Sequence, residues 1–208
     1  MRKVTTIILL FVFFSAISPF LNAQNTDIEL LRTIHNSSPG LRSYSEFMSG
    51  TTKIVSVSVP VVMATAAFIQ KDDDLLKDAI YVGTSMGVNT VLTYAIKYSV
   101  NRERPYLTYP DLNVPVSLYE SSASFPSGHT SLAFSTATAL SLKHPKWYVI
   151  APAYFWAGSV GYSRMHLGVH YPSDVLAGAL LGAGSAWITY KANEWFWKTR
   201  EKKTIIWY

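Results

Sequence analysis

Three polar islands interrupt an apolar chain, and their residue types suit a phosphate. KYSVNRERP carries Lys97 and, after six residues, Arg104 and Pro105; SFPSGHTS carries Pro126, Ser127, Gly128 and His129; SRMHLGVHYPSD carries Arg164, His170 and Asp174. Arg104 and Arg164 offer planar, permanently charged forks that match phosphate oxygens, and Lys97 adds a point charge. Ser127, Gly128 and His129 open an apolar run that reads as a helix, whose first backbone N–H groups and dipole favour an anion. Glycine at 128 lets the backbone come close. His170 and Asp174, four apart, share a helical face once the helix has begun, with Pro172 suited to its first turn. A carboxylate accepting from one ring nitrogen sets the tautomer and leaves the other nitrogen free to attack phosphorus. His129 is then placed to protonate the leaving oxygen. This scheme asks for no metal and no cofactor.

The elements that must position these groups read as membrane helices. Apolar residues make up 49% of the 208 and charged residues 15%, against an ordinary charged share of about 25%. Five apolar segments, Ile54–Gln70, Ala79–Lys97, His129–Leu142, Trp147–Tyr162 and Val175–Tyr190, have helical or uniformly apolar periodicity, with no strand-like alternation. Each is near the short end for a span, since a bilayer core wants roughly 20 residues of helix. Ser, Thr and Gly recur inside them, as they do where membrane helices approach closely. The expectation is an all-α, membrane-embedded bundle of five or six transmembrane helices. There are no cysteines, so disulfides and thiolate metal sites are excluded, and the net charge of +5 forms no broad nucleic-acid patch.

Residues 1–23 have Arg2 and Lys3, then an apolar run, then Leu-Asn-Ala before Gln24, the layout of a signal peptide or a first transmembrane helix. Residues 24–52, with IELLRTI and the breaker NSSPG, read as a periplasmic interfacial segment, 53–191 as the helical core and 192–208 as a cytoplasmic basic and aromatic tail. With an exported N-terminus, all three islands fall on the periplasmic side of an inner membrane. Nine Lys and Arg then lie on the opposite side and seven on theirs, three of the seven being Lys97, Arg104 and Arg164.

The order and spacing of the islands resemble the three-part signature of the type 2 phosphatidic acid phosphatase superfamily, which includes bacterial acid phosphatases and vanadium haloperoxidases. The resemblance covers roughly Ala79 to Tyr190 with no signature position substituted. It implies that His170 forms a phosphohistidine, that Asp174 orients it, and that His129 is general acid and later base. Lys97, Arg104, Ser127, Gly128 and Arg164 would hold the phosphoryl oxygens. GYSRMHLGVHYPSDVLAGALLG is similar to the membrane lipid-phosphatase branch, which implies a lipid phosphate or diphosphate as substrate: phosphatidic acid, phosphatidylglycerophosphate, undecaprenyl diphosphate or a lipid A phosphate. The alternatives are a soluble periplasmic acid phosphatase of broad specificity, a haloperoxidase, or a non-catalytic phospholipid-binding or transport protein.

Other polar residues read as structural. His166 is assigned to packing or substrate entry, His35 and His144 to solvent or interface positions, Asp72 to Asp74 to a solvated loop, and Arg102 and Glu103 to a surface pair. The aromatic run Trp195 to Trp197 reads as an interfacial belt. The loop from Tyr106 to Ser124 borders the substrate and, without Lys or Arg, offers no second phosphate clamp.

Overall fold

The structure, a computed structural model, describes residues 20–35 and 39–205. Six long helices carry the described chain: α1 Phe20–His35, α2 Arg42–Gln70, α3 Asp73–Val100, α4 Gly128–Lys143, α5 Trp147–His166 and α6 Pro172–Ile205. No strand occurs among the described residues. The expected signal or first span falls largely outside them.

Connections alternate between the two ends of the bundle. At one end α2 turns into α3 through Lys71, which takes a left-handed conformation, and Asp72, whose carboxylate caps Asp74 N and Leu75 N. The Asp72 to Asp74 run is thus a helix cap. Asp78 and Lys143 pair at this same end at 2.9 Å. At the other end, residues 101–127 and 167–171 link α3 to α4 and α5 to α6. All three polar islands therefore meet at one pole.

The helices are longer than the apolar segments that announce them. α2 starts at Arg42 rather than near Ile54, so residues 42–52 of the expected interfacial segment are its first turns, where Arg42 and Glu46 pair at 3.0 Å one turn apart. Hydropathy marks only the apolar middle of a helix whose polar ends are equally helical. Among the described residues, α2 alone has the length and hydropathy of a span by itself.

The bundle has its polarity turned inward. Its interior is lined with hydroxyls and an amide that satisfy one another: Thr93 with Ser131 at 3.0 Å, Ser131 with Asn89, Thr136 with Ser56 at 3.0 Å, and Thr138 with Tyr154 at 2.8 Å. Its outer faces show Ile54, Val62, Phe68, Val91, Phe155 and Leu180, each more than 60% exposed. An exterior this apolar suits lipid, where helix association relies on close packing and interhelical hydrogen bonds.

α4 is the axis, packed against α2, α3, α5 and α6. It buries Thr130, Ser131, Ala133 and the run from Ser135 to Ala139. Small side chains let its neighbours come close, and α6 comes closest. A β-carbon at Gly178 would stand 2.6 Å from the Ser127 carbonyl oxygen, and one at Gly182 would stand 2.1 Å from that of Ser131. The glycine face of α6 thus lies directly on the α4 backbone, fixing the start of one helix against the start of the other.

Candidate active site

His170 sits in the turn between α5 and α6. The turn needs Gly168, whose φ of +71° is left-handed and whose β-carbon would meet Val114 at 2.7 Å. His170 is fully buried. Arg104 Nη1 donates to its Nε2 at 3.2 Å, so this nitrogen carries a lone pair, and Nδ1 faces Asp174 Oδ2 at 3.5 Å. Burial, with Arg164, Arg104 and Lys97 nearby, holds its pKa well below 6.5. A neutral imidazole with Nδ1 turned to a carboxylate and Nε2 turned to the Arg104 guanidinium has the arrangement a nucleophile needs.

Asp174, in the first turn of α6, is fully buried and heavily bonded. Its Oδ2 accepts from Ser124 Oγ and from Tyr171 N at 3.0 Å. Its Oδ1 accepts from Arg102 Nη1 at 2.8 Å. Arg102 also reaches Asp27 of α1 at 2.8 Å, so it is not the surface partner of Glu103 that the sequence suggests.

The cationic residues converge from three elements, and a carboxylate holds two of them. Arg104, which precedes the one-turn helix Pro105–Thr108, pairs its Nη2 with Glu120 Oε2 at 2.7 Å. Arg164, in the last turn of α5, pairs its Nη2 with Glu120 Oε1 and donates Nη1 to Ser49 at 2.7 Å. Its Nε, also buried, donates to no protein acceptor. Burial would raise the Glu120 pKa, but Arg164 and Arg104 outweigh it and hold it at about 2. An anion therefore already sits where the phosphoryl oxygens are expected.

His129, second residue of α4, lies 4.0 Å from Glu120 Oε1 through its Nδ1. Lys97, in the last turn of α3, donates to the Ala123 carbonyl and ties down the strand of loop before the Pro-Ser-Gly-His turn. Gly128 completes this wall, where a β-carbon would stand 3.7 Å from Lys97 Cε. Ser127 caps α4 but turns its hydroxyl to Thr130 at 2.9 Å, and its N–H donates to the Asp174 carbonyl at 3.0 Å. It joins the two histidine-bearing turns and does not touch the arginines.

A cavity of about 650 Å³ opens beside these groups, lined by Lys97, Gly128, His129 and Glu120 and continued by Asn89, Thr93 and Leu132 along α3 and α4. Lys53 and Thr52 of α2 close another side. Lys53 and Glu120 escape sequence reasoning, because each lies outside the spaced motifs and is recruited only by the packing; Arg102 lies inside the first motif, and what escapes there is its partner, Asp174 in place of Glu103. The arithmetic of nearby charge offered one signal: Glu120 stands nine residues before His129 in a loop with no Lys or Arg. His166 packs, accepting or donating at Ser45 Oγ at 3.0 Å. His35 is not a solvent residue, since its ring bridges the carbonyls of His166 and Leu112 at 2.7 and 2.8 Å.

Known proteins resemble this chain in sequence and in fold. The chain is 34% identical over 154 residues to phosphatidylglycerophosphatase B of Bacillus subtilis, covering 66% of this chain and 70% of that protein. It is 34% identical over 116 residues to undecaprenyl-diphosphatase of Sulfolobus acidocaldarius, covering 50% of this chain and 52% of that one. It spans about half, or less, of the length of several curated relatives. The crystal structure of the transmembrane phosphatidylglycerolphosphate phosphatase of Bacillus subtilis superposes with a TM-score of 0.69 at 25% identity, over 93% of this chain and 97% of that one. The all-helical architecture is that of these membrane phosphatases, and residues 78–198, which hold the three islands, match the family model itself: the chain belongs to the PAP2 superfamily.

Proposed function

We propose that this protein hydrolyses a lipid phosphate or diphosphate through a phosphohistidine, at the periplasmic face of an inner membrane. The observation that carries the reading is the pair Arg104 and Arg164 closed on one anionic group, with Arg104 also touching the free Nε2 of His170. A phosphoryl group that takes the place of the Glu120 carboxylate is held by the same Arg104 fork that meets that nitrogen. The Nε2 lone pair forms the P–N bond as the P–O bond to the lipid breaks, and His129 gives its proton to the departing oxygen. Water then attacks phosphorus, His129 takes its proton, and the P–N bond breaks to release phosphate. The arginines match charge that accumulates on the oxygens in both steps. Lys97, Ser127 and Gly128 shape the seat, and Asp174 keeps the His170 tautomer.

The substrates favoured are those read from the sequence: phosphatidic acid, phosphatidylglycerophosphate, undecaprenyl diphosphate or a lipid A phosphate. The apolar exterior and a cavity running between α3 and α4 support a lipid over the soluble substrate of a secreted acid phosphatase. The names of the relatives support the same class. Phosphate release from these four lipids and a soluble aryl phosphate, with EDTA present, tests the reading. Turnover on at least one lipid that is abolished in His170→Ala is expected. Activity surviving in that variant would remove the nucleophile assignment, and release from the aryl phosphate alone would remove the lipid substrate.

A further inference from the structure

The Asp174 carboxylate is held by a first-motif residue that is not one of its phosphate-binding positions, and behind that residue by one on α1. Asp174 has two oxygens, and Arg102 occupies one of them, Nη1 to Oδ1 at 2.8 Å. The other is thereby left to Ser124, Tyr171 N and the His170 ring. Arg102 is itself clamped. Its guanidinium lies 3.8 Å over the Tyr171 ring, its Nη2 pairs with Asp27 Oδ2 at 2.8 Å, and its carbonyl accepts from Ser124 N at 2.8 Å. Asp27, nearly buried on α1, also accepts from Ser173 N at 2.9 Å and from Ser173 Oγ, so it grips the first turn of α6 directly.

This is a chain of alternating charge, Asp27, Arg102, Asp174, leading to His170. Arg102 is not among the residues lining the cavity that holds His129 and Lys97; it borders a separate hollow with Glu103, Thr108, Tyr109 and Tyr171. Its amino groups are engaged, Nη1 by Asp174 and Ser173 and Nη2 by Asp27, so its link to the His170 ring runs through Asp174. Two buried carboxylates with no cation between them would repel, and a fork with parallel donors can bridge both where a lysine ammonium cannot match the geometry.

We infer that Arg102 and Asp27 are positioning residues for the catalytic Asp174, so that α1 is a working part of the active site. The inference rests on the phosphohistidine reading above. Its consequence is that losing Arg102 slows formation of the phosphoenzyme without weakening the grip on phosphate, because Asp174 is then free to turn away from the His170 ring.

The test is a double-variant cycle on the full chain in detergent, with kcat, KM and the inhibition constant for orthovanadate as readouts. Arg102→Gln is expected to lower kcat about 100-fold with KM and vanadate inhibition within about threefold of wild type. In an Asp174→Asn background, Arg102→Gln is expected to cause no further loss beyond about threefold, as groups acting in one unit do not add. Asp27→Asn is expected to lower kcat about tenfold and to add nothing to Arg102→Gln. It carries the same cycle should Arg102→Gln fail to assemble. Undiminished kcat in either variant, or an equal loss with and without Asp174, would overturn the inference. A wild type that releases no phosphate from any lipid would remove the catalytic reading and the inference with it, whereas an active wild type with an indifferent Arg102 removes the inference alone.

Discussion

Glu120 sets the chemistry of the unliganded site. With its pKa held at about 2, it is ionised throughout the neutral range and competes with a phosphoryl group for Arg104 and Arg164. Replacing it by an uncharged isostere leaves the fork donors in place and removes the competitor. Glu120→Gln is therefore expected to tighten competitive inhibition by inorganic phosphate about tenfold, equivalent to about 1.4 kcal/mol. Weaker phosphate inhibition in the variant would mean that Glu120 is instead the scaffold that keeps the two arginines in register. Lys53 makes a different prediction. It lines the same cavity from α2, across from Lys97, and as a cation apart from the arginine pair it suits a second phosphate. Lys53→Gln is expected to raise KM for undecaprenyl diphosphate several-fold more than for phosphatidic acid, measured on the two lipids in the same detergent.

At the scale of elements, the distance between the two histidine-bearing turns is set by how closely α6 lies on α4. A methyl group at Gly182 would overlap the Ser131 carbonyl, a backbone atom that yields only if the helices part. Gly182→Ala is expected to lower stability by about 1–3 kcal/mol. It should also cut kcat by more than tenfold, since a shift of about 1 Å between reacting groups costs on that order. Gly184→Ala, two residues on in the same helix with open space around it, is the control. It is expected to leave kcat unchanged and to stabilise the helix slightly. Thermal melting and turnover of the two variants, side by side, separate helix contact from glycine propensity.

For the whole molecule, burying neutral His170 links stability to pH. Its folded pKa lies below 6.5, so the unfolded chain binds the extra proton first, and stability falls as pH drops below 6.5. Glu120, depressed from 4.5 to about 2, adds stability that is present above 4.5 and is lost as pH falls towards 2. As pH falls, the His170 contribution begins to be lost first, below 6.5, and that of Glu120 only below 4.5. The melting temperature is expected to decline between pH 6.5 and 5, and to decline less steeply in His170→Gln. An identical slope in that variant would place the titrating group elsewhere.

The motif residues, their order, the helical class and the common pole were legible in the sequence, because spacing along a helix and alternation of apolar segments are local properties. Lys97, Arg104, Ser127, Gly128, His129, Arg164, His170 and Asp174 all fall at helix ends or in turns at that pole. The partners of those residues were not legible. Glu120 on the arginines, Asp27 and, from within the first motif, Arg102 behind Asp174, and Lys53 across the cavity meet partners distant in the chain, and no local pattern names those partners. Helix ends were hidden for a related reason, since hydropathy is silent where a helix leaves the apolar layer. Charge acts through space rather than along the chain, so which cation meets which carboxylate was settled by the glycine-tight packing of α6 on α4 and by the folding of residues 101–127 over the pole.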